Sequence, residues 1–341
     1  MIELRDDSLL FSFPEVHPQA RMTINFQRTL RIPDDGNEYS LPPGLGSFPL
    51  HHVDDYSGQV PAGWLKHGGV MLPMYQSEAM WLNFDSAYIE EHGTSYPFAV
   101  KIAAGKVNAI TGKQWADQLT DDPQDYLVLP DQPWLDGFCV KKGIIRQFVA
   151  MPLGEGYTVE EQLTGGAEHG GLQLIVYPMR REIFERRFPR INHMRVSDTE
   201  EHAPYLAACH SEMGLAPGGK MHQEIYQDPY GIEEWDLTRS SRCFTHIVNS
   251  LMWRAITGQA PPTFPPTAEY YTSMGMPWFD YYDDAASALA GSEQLAKLKS
   301  VLQLGMDKGE KPLPENGPIT PGQIIEIRRA LRKNQIREGS F

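Results

Sequence analysis

Residues 21–32, RMTINFQRTLRI, alternate between apolar and polar side chains, a pattern that leaves a chain little choice of local structure. Met22, Ile24, Phe26, Leu30 and Ile32 fall on one face, and Arg21, Thr23, Asn25, Gln27, Thr29 and Arg31 on the other. Only Arg28 breaks the period of two, placing a charge among the apolar positions. A strand with one wet face is the habit of antiparallel sheets. Pro33-Asp34-Asp35-Gly36 then supplies turn chemistry. Further strands are predicted at 69–73, 80–84, 98–103, 106–110, 125–129, 144–150 and 171–177, with a hairpin turning at Ala104-Gly105.

The last third reads differently. Phe244, Ile247, Val248, Leu251, Met252, Ala255 and Ile256 follow the i, i+3, i+4, i+7 spacing of a core-facing helix. Ser240 or Ser241 would cap it, and Gly258 with Pro261-Pro262 would stop it. A second helix is predicted from Ser292 to Gly305, and a third opens at Thr320-Pro321-Gly322-Gln323. The expected fold class is α+β: largely antiparallel β over residues 20–180, with a helical C-terminal third. The expected division is a β-rich region, 1–190, and a helix-rich region, 191–341.

Composition bounds the function. The 341 residues carry a net charge of −14, which opposes broad binding to nucleic acid. No apolar run approaches the ~20 residues of a membrane-spanning helix, and the start, MIELRDDSLLFSF, lacks the basic and apolar regions of a signal peptide. Cys139, Cys209 and Cys243 are widely spaced and imply no disulfide framework, so a soluble protein of the reducing cytoplasm is expected.

The stretch GEGYTVEEQLT follows an apolar run, the order of strand, glycine turn and helix start that cradles phosphate. Here Glu155, Glu160 and Glu161 already occupy the positive end of the helix, no lysine is near, and neither a Walker pattern nor G-x-G-x-x-G occurs. The reading is a capped turn, Thr158 with Glu161 forming the capping box. The four glycines 165, 166, 170 and 171 mark a loop into the next strand.

Other constellations carry chemistry in principle. His52 and Asp54 would share a face of an extended chain, and with His202, His210 and His222 they form the candidate metal set. Cys243 and His246, three apart on the predicted helix, form a candidate nucleophile pair. Residues 269–284, EYYTSMGMPWFDYYDD, join flat rings to acceptors. Trp278, Tyr281 and Tyr282, with Trp235 in DPYGIEEWD, would contact a polar ligand, and Asp280 and Asp283 would be the catalytic carboxylates. Arg187 and Arg190, in a run of six arginines between 180 and 195, would bind an anion or an acidic partner. The favoured expectation is a soluble intracellular binding or assembly protein, self-associating or taking a small polar ligand. The alternative is a hydrolase of a carbohydrate-like ligand with a carboxylate or metal-assisted mechanism. No cofactor is indicated.

Overall fold

The alternating segment forms the strand Arg21–Thr29, with Met22, Ile24 and Phe26 buried. In the computed structural model, which describes residues 1–190, 212–262, 264–274, 276–283, 286–311, 319 and 321–328, this strand lies inside one long antiparallel ladder. Ser8–Ser12 pairs on one side of it and Ala79–Ser86 on the other. From Ala79–Ser86 the ladder runs through Ile144–Pro152, Glu212–His222, Ser241–Val248, Leu172–Pro178 and Phe98–Ala104, each antiparallel to the one before. The sheet curls on itself: the Met1 ammonium group lies 3.3 Å from Ser241 Oγ, and Phe11, Phe26, Phe98, Phe148 and Leu174 meet in one core. Sheet twist accumulating over so many strands favours such closure.

The helical C-terminal third is not formed. Residues Ser241–Val248 are a strand, antiparallel to Leu172–Pro178 and parallel to Val70–Pro73. Residues 243–248 are all buried, because neighbouring strands and packed side chains cover both faces. A strand enclosed on both sides has no period of two, and its apolar positions here coincide with helical spacing. Only Met252–Thr257 is helical, and Leu251, expected in the core, is 70% exposed. The second predicted helix divides into Glu293–Ala296, capped by Ser292, and Val301–Asp307, which has its own Ser300/Gln303 capping box. In place of the third, Ile324–Arg328 is a strand parallel to Trp278–Tyr282. Among the described residues no helix is long and apolar enough to cross a membrane.

Where the ladder stops, buried side-chain amides take over the pairing of backbone groups. Gln147, wholly enclosed, donates to the Leu30 carbonyl at 2.8 Å and accepts from the Ile32 N–H at 3.0 Å. Gln124 bonds the Tyr126 and Tyr226 carbonyls and the Asp228 N–H. Gln132 does the same for Trp134, Glu224 and Tyr226. Gln173 accepts from the Lys106 N–H and donates to the Gly170 carbonyl. Gln223 accepts from the Asp136 N–H and donates to the Asp136 carboxylate at 2.8 Å. A primary amide has the donor and acceptor of a peptide unit, so it satisfies groups that would otherwise be buried unpaired.

Two stability experiments follow from this packing. Gln147→Leu keeps the apolar volume but strands a buried carbonyl and a buried N–H, and should cost roughly 2–5 kcal/mol in urea unfolding. Burial pushes the Asp136 carboxyl up to about 7, with the Gln223 bond opposing. Between the unfolded value of 3.8 and about 7 the folded protein holds a proton that the unfolded chain releases. Stability therefore falls as pH rises through that window and levels above it. Asp136→Asn should reduce the slope in denaturation series across this range; an unchanged slope contradicts the assignment.

Candidate functional site

The helix Val159–Thr164 is built as its sequence requires. Thr158 Oγ1 accepts from the Glu161 N–H, and the Glu161 carboxylate accepts from the Gly154, Gly156 and Thr158 N–H groups at 2.9, 2.6 and 3.1 Å. The amides that would face a phosphate thus already hold the chain's own carboxylate. One residue earlier, Glu160 is 3% exposed and points the other way. It accepts from the Glu168, His169 and Gly170 N–H groups at 2.9, 3.0 and 2.8 Å. Three amides neutralise a buried carboxylate and fix the glycine-bearing loop over the helix end.

Against this loop packs the hairpin turn between Phe98–Ala104 and Val107–Asn108. Gly105 and Lys106 both have left-handed backbones, φ 54° and 58°, as a two-residue turn with Ala104 paired to Val107 demands. A Cβ on Gly105 would stand 2.4 Å from Glu160 Oε2, so space as well as φ requires glycine. The Lys106 carbonyl accepts from the Trp115 N–H at 2.8 Å, which sets the half-buried indole beside the turn. Trp115 Nε1 donates to Asp117, whose carboxyl is held low by that bond and by Arg242. The buried Lys101 ammonium lies 5.5 Å from the indole centroid and pairs with Asp125 at 2.6 Å.

These elements enclose a cavity of about 360 Å³ lined by Lys106, Gln114, Trp115, Glu160, Thr164 and His169 among others. A wider groove shares Gln114 and Thr164 with it and adds Lys113, Gln162, Gln294, Lys297 and Lys299. The field is basic. Burial pushes the neighbouring His67 below its ordinary value, and the charges of Lys106 and His169 push it the same way.

The residues expected from sequence are dispersed. His52 ends a two-residue strand and Asp54 begins a 3₁₀ turn; both are exposed, so the shared extended face does not exist. His202 and His210 lie outside the described residues. Among those described, no group of three or more His, Cys, Asp or Glu is placed to hold a metal ion. His222 does meet Asp280, at 3.8 Å, and Glu38, at 3.5 Å. Cys243 and His246 sit three apart on a strand, on opposite faces, and do not pair. Burial raises the Cys243 thiol to about 12 and lowers His246 to about 3, which leaves no thiolate and no cation.

The aromatic stretch is mostly interior. Trp278 is 2% exposed, Tyr281 packs on Trp134 at 4.9 Å, and Trp235 is fully enclosed with Nε1 donating to Asp228. Tyr282 is half-buried in the same strand, beside Asp283, whose N–H donates to Tyr226. Arg187 forms two bonds to Glu234, and Arg190 pairs with Glu91, so these arginines meet the chain's own carboxylates. Sequence alone does not single out Lys106, Gln114, Trp115 and His169. Their signals are the glycines of the 165–171 loop and the hairpin at Gly105, which lie 60 residues apart and meet only in the fold.

Comparison of the chain with protein-family models, with curated proteins and with solved structures finds no match. Gly105→Ala should destabilise the protein by roughly 1–3 kcal/mol, through φ and through the clash with Glu160, and should raise hydrogen exchange in the loop 165–171. A neutral substitution would show that the turn and the loop are not coupled.

Proposed function

We propose that the protein is an intracellular binding protein for a small, polar, acidic ligand, taken in the groove between the Gly105–Lys106 turn and the 164–170 loop. The observation that carries this reading is charge placement. On a chain of net charge −14, Lys106, Lys113, Lys297 and Lys299 line the joined groove, the last two also paired with Glu293 and Asp307, against Glu168 and Glu160, and the Glu160 carboxylate accepts from three amides. Lys106 supplies the charge for an acid group, Gln114 a donor and an acceptor, and Trp115 a flat face for a ring. The buried thiols Cys139 and Cys243 suit a reducing compartment.

Binding ranks above hydrolysis because Glu160, the buried carboxylate of the groove, spends its hydrogen bonds on the loop amides. It ranks above assembly because the tryptophans expected to form a contact surface are packed inside.

Benzoate, nicotinate and phenyl phosphate are suitable probes for thermal-shift and calorimetric titration. At least one should raise the melting temperature by mass action, and Lys106→Met and Trp115→Leu should each weaken its binding about tenfold or more. If none of the three binds, or if binding ignores both substitutions, the reading fails.

A further inference from the structure

A second cleft, of about 310 Å³, lies where the strand Arg21–Thr29 ends beside the start of Ala79–Ser86, beneath residues 265–267. Its wall includes Leu30, Arg31, Ser77, Glu78, Ala79 and Pro265. The register Arg28↔Met80 and Thr29↔Ala79 sets Arg28, the residue that breaks the alternation, beside Glu78. Both side chains are buried, Arg28 at 7% and Glu78 at 3% exposure.

This pair is poorly made. Arg28 Nε and Glu78 Oε1 are 3.6 Å apart, and among the described residues neither atom has a hydrogen-bond partner. Arg28 Nη2 donates to the Phe264 carbonyl at 2.6 Å, and Glu78 Oε2 accepts only from the Tyr75 N–H at 2.9 Å. The same molecule shows how it holds carboxylates elsewhere: Glu160 accepts three amides, and Glu161 accepts three amides and a hydroxyl. Glu78 is tied to its own turn, where Ser77 has a left-handed backbone at φ 67°, and it does not present two oxygens to the guanidinium fork, Oε2 being bonded to the Tyr75 N–H. A free carboxylate can.

We propose that this cleft is a second binding site, for a small monocarboxylate whose acid group takes the place of Glu78 against Arg28 and enters together with one proton. Two ionised carboxylates beside one buried guanidinium would leave an uncompensated negative charge, so Glu78 takes the proton from solvent as the ligand binds. Burial already pushes Glu78 up to about 7, against the Tyr75 N–H and Arg28, so uptake is easy near neutrality. The other titratable groups around the pair do not replace Glu78 as the carrier. Tyr75 and Tyr271 are themselves pushed up by burial and stay neutral. Leu30, Ala79 and Pro265 offer apolar wall to a short tail.

The test is calorimetric titration of butyrate into the full chain, in two buffers of different ionisation enthalpy. Uptake close to one proton per butyrate is expected at about pH 8, with affinity falling about tenfold per pH unit above about pH 7. Glu78→Gln, which imitates the protonated acid, should bind butyrate with pH-independent affinity, and Arg28→Met should lose binding. Lys106→Met should leave butyrate binding unchanged, which separates this cleft from the groove. The proposal is overturned if butyrate does not bind, if it binds without proton uptake, or if its binding survives Arg28→Met. The wild-type proton count stands as a test even where a variant fails to fold.

Discussion

Much of this sheet's irregular backbone is buried, and it tolerates burial because glutamine side chains complete its hydrogen bonding. Gln124, Gln132, Gln147, Gln173 and Gln223 each satisfy at least one backbone donor and one acceptor where no strand partner is available. A buried peptide group without a partner costs about 1–3 kcal/mol, so a handful of these side chains decides whether the ladder can curl and stop where it does. The groove depends on the same device. Gln173 holds the amide of Lys106 from one side and the carbonyl of Gly170 from the other, linking the hairpin turn to the loop that faces it.

Carboxylates within the fold, three of them buried and Glu161 half-buried, divide into two kinds. Glu160 and Glu161 are surrounded by amide donors and shape the backbone near them. Asp136 and Glu78 have one hydrogen-bond donor apiece, and both are pushed up to about 7. The difference lies in the number of donors rather than in depth, since three of the four are at most 3% exposed. Where donors are plentiful the carboxylate organises the backbone around it; at Asp136 and Glu78, where they are scarce, the carboxyl exchanges a proton near neutral pH.

Local signals are legible where they rest on alternation, capping or turn chemistry. The strand at 21–29, the capping box of Thr158 and Glu161, the cap at Ser292 and the hairpin at Gly105 all answer to short-range rules. Ser241–Val248 was misread because it is enclosed on both sides: six successive buried residues satisfy a helical and a strand template equally. The candidate site was less legible for a different reason. Tyrosine, tryptophan and histidine suggest contact or chemistry by their kind, yet Trp235, Trp278 and His246 are core residues. Trp115, which does line a cavity, stands in a stretch with no periodicity and no neighbouring aromatic.

Arg28 shows what a local conflict is worth as a signal. On the inward face of a strand an aliphatic residue would pack without desolvating a charge, so an arginine there opposes every local preference of the segment. Such a conflict persists when the charge is fully paired or when something else uses it. Full pairing is not what the fold supplies: the guanidinium has one good bond, to the Phe264 carbonyl, and a partner carboxylate out of hydrogen-bonding alignment. Lys101 is the counterexample within the same sheet, equally buried but bonded to Asp125 at 2.6 Å and to the Gln118 carbonyl. The completed pair at Lys101 is sufficient as structure. The incomplete pair at Arg28 is where the chain departs from what folding alone would favour, and a cleft opens beside it.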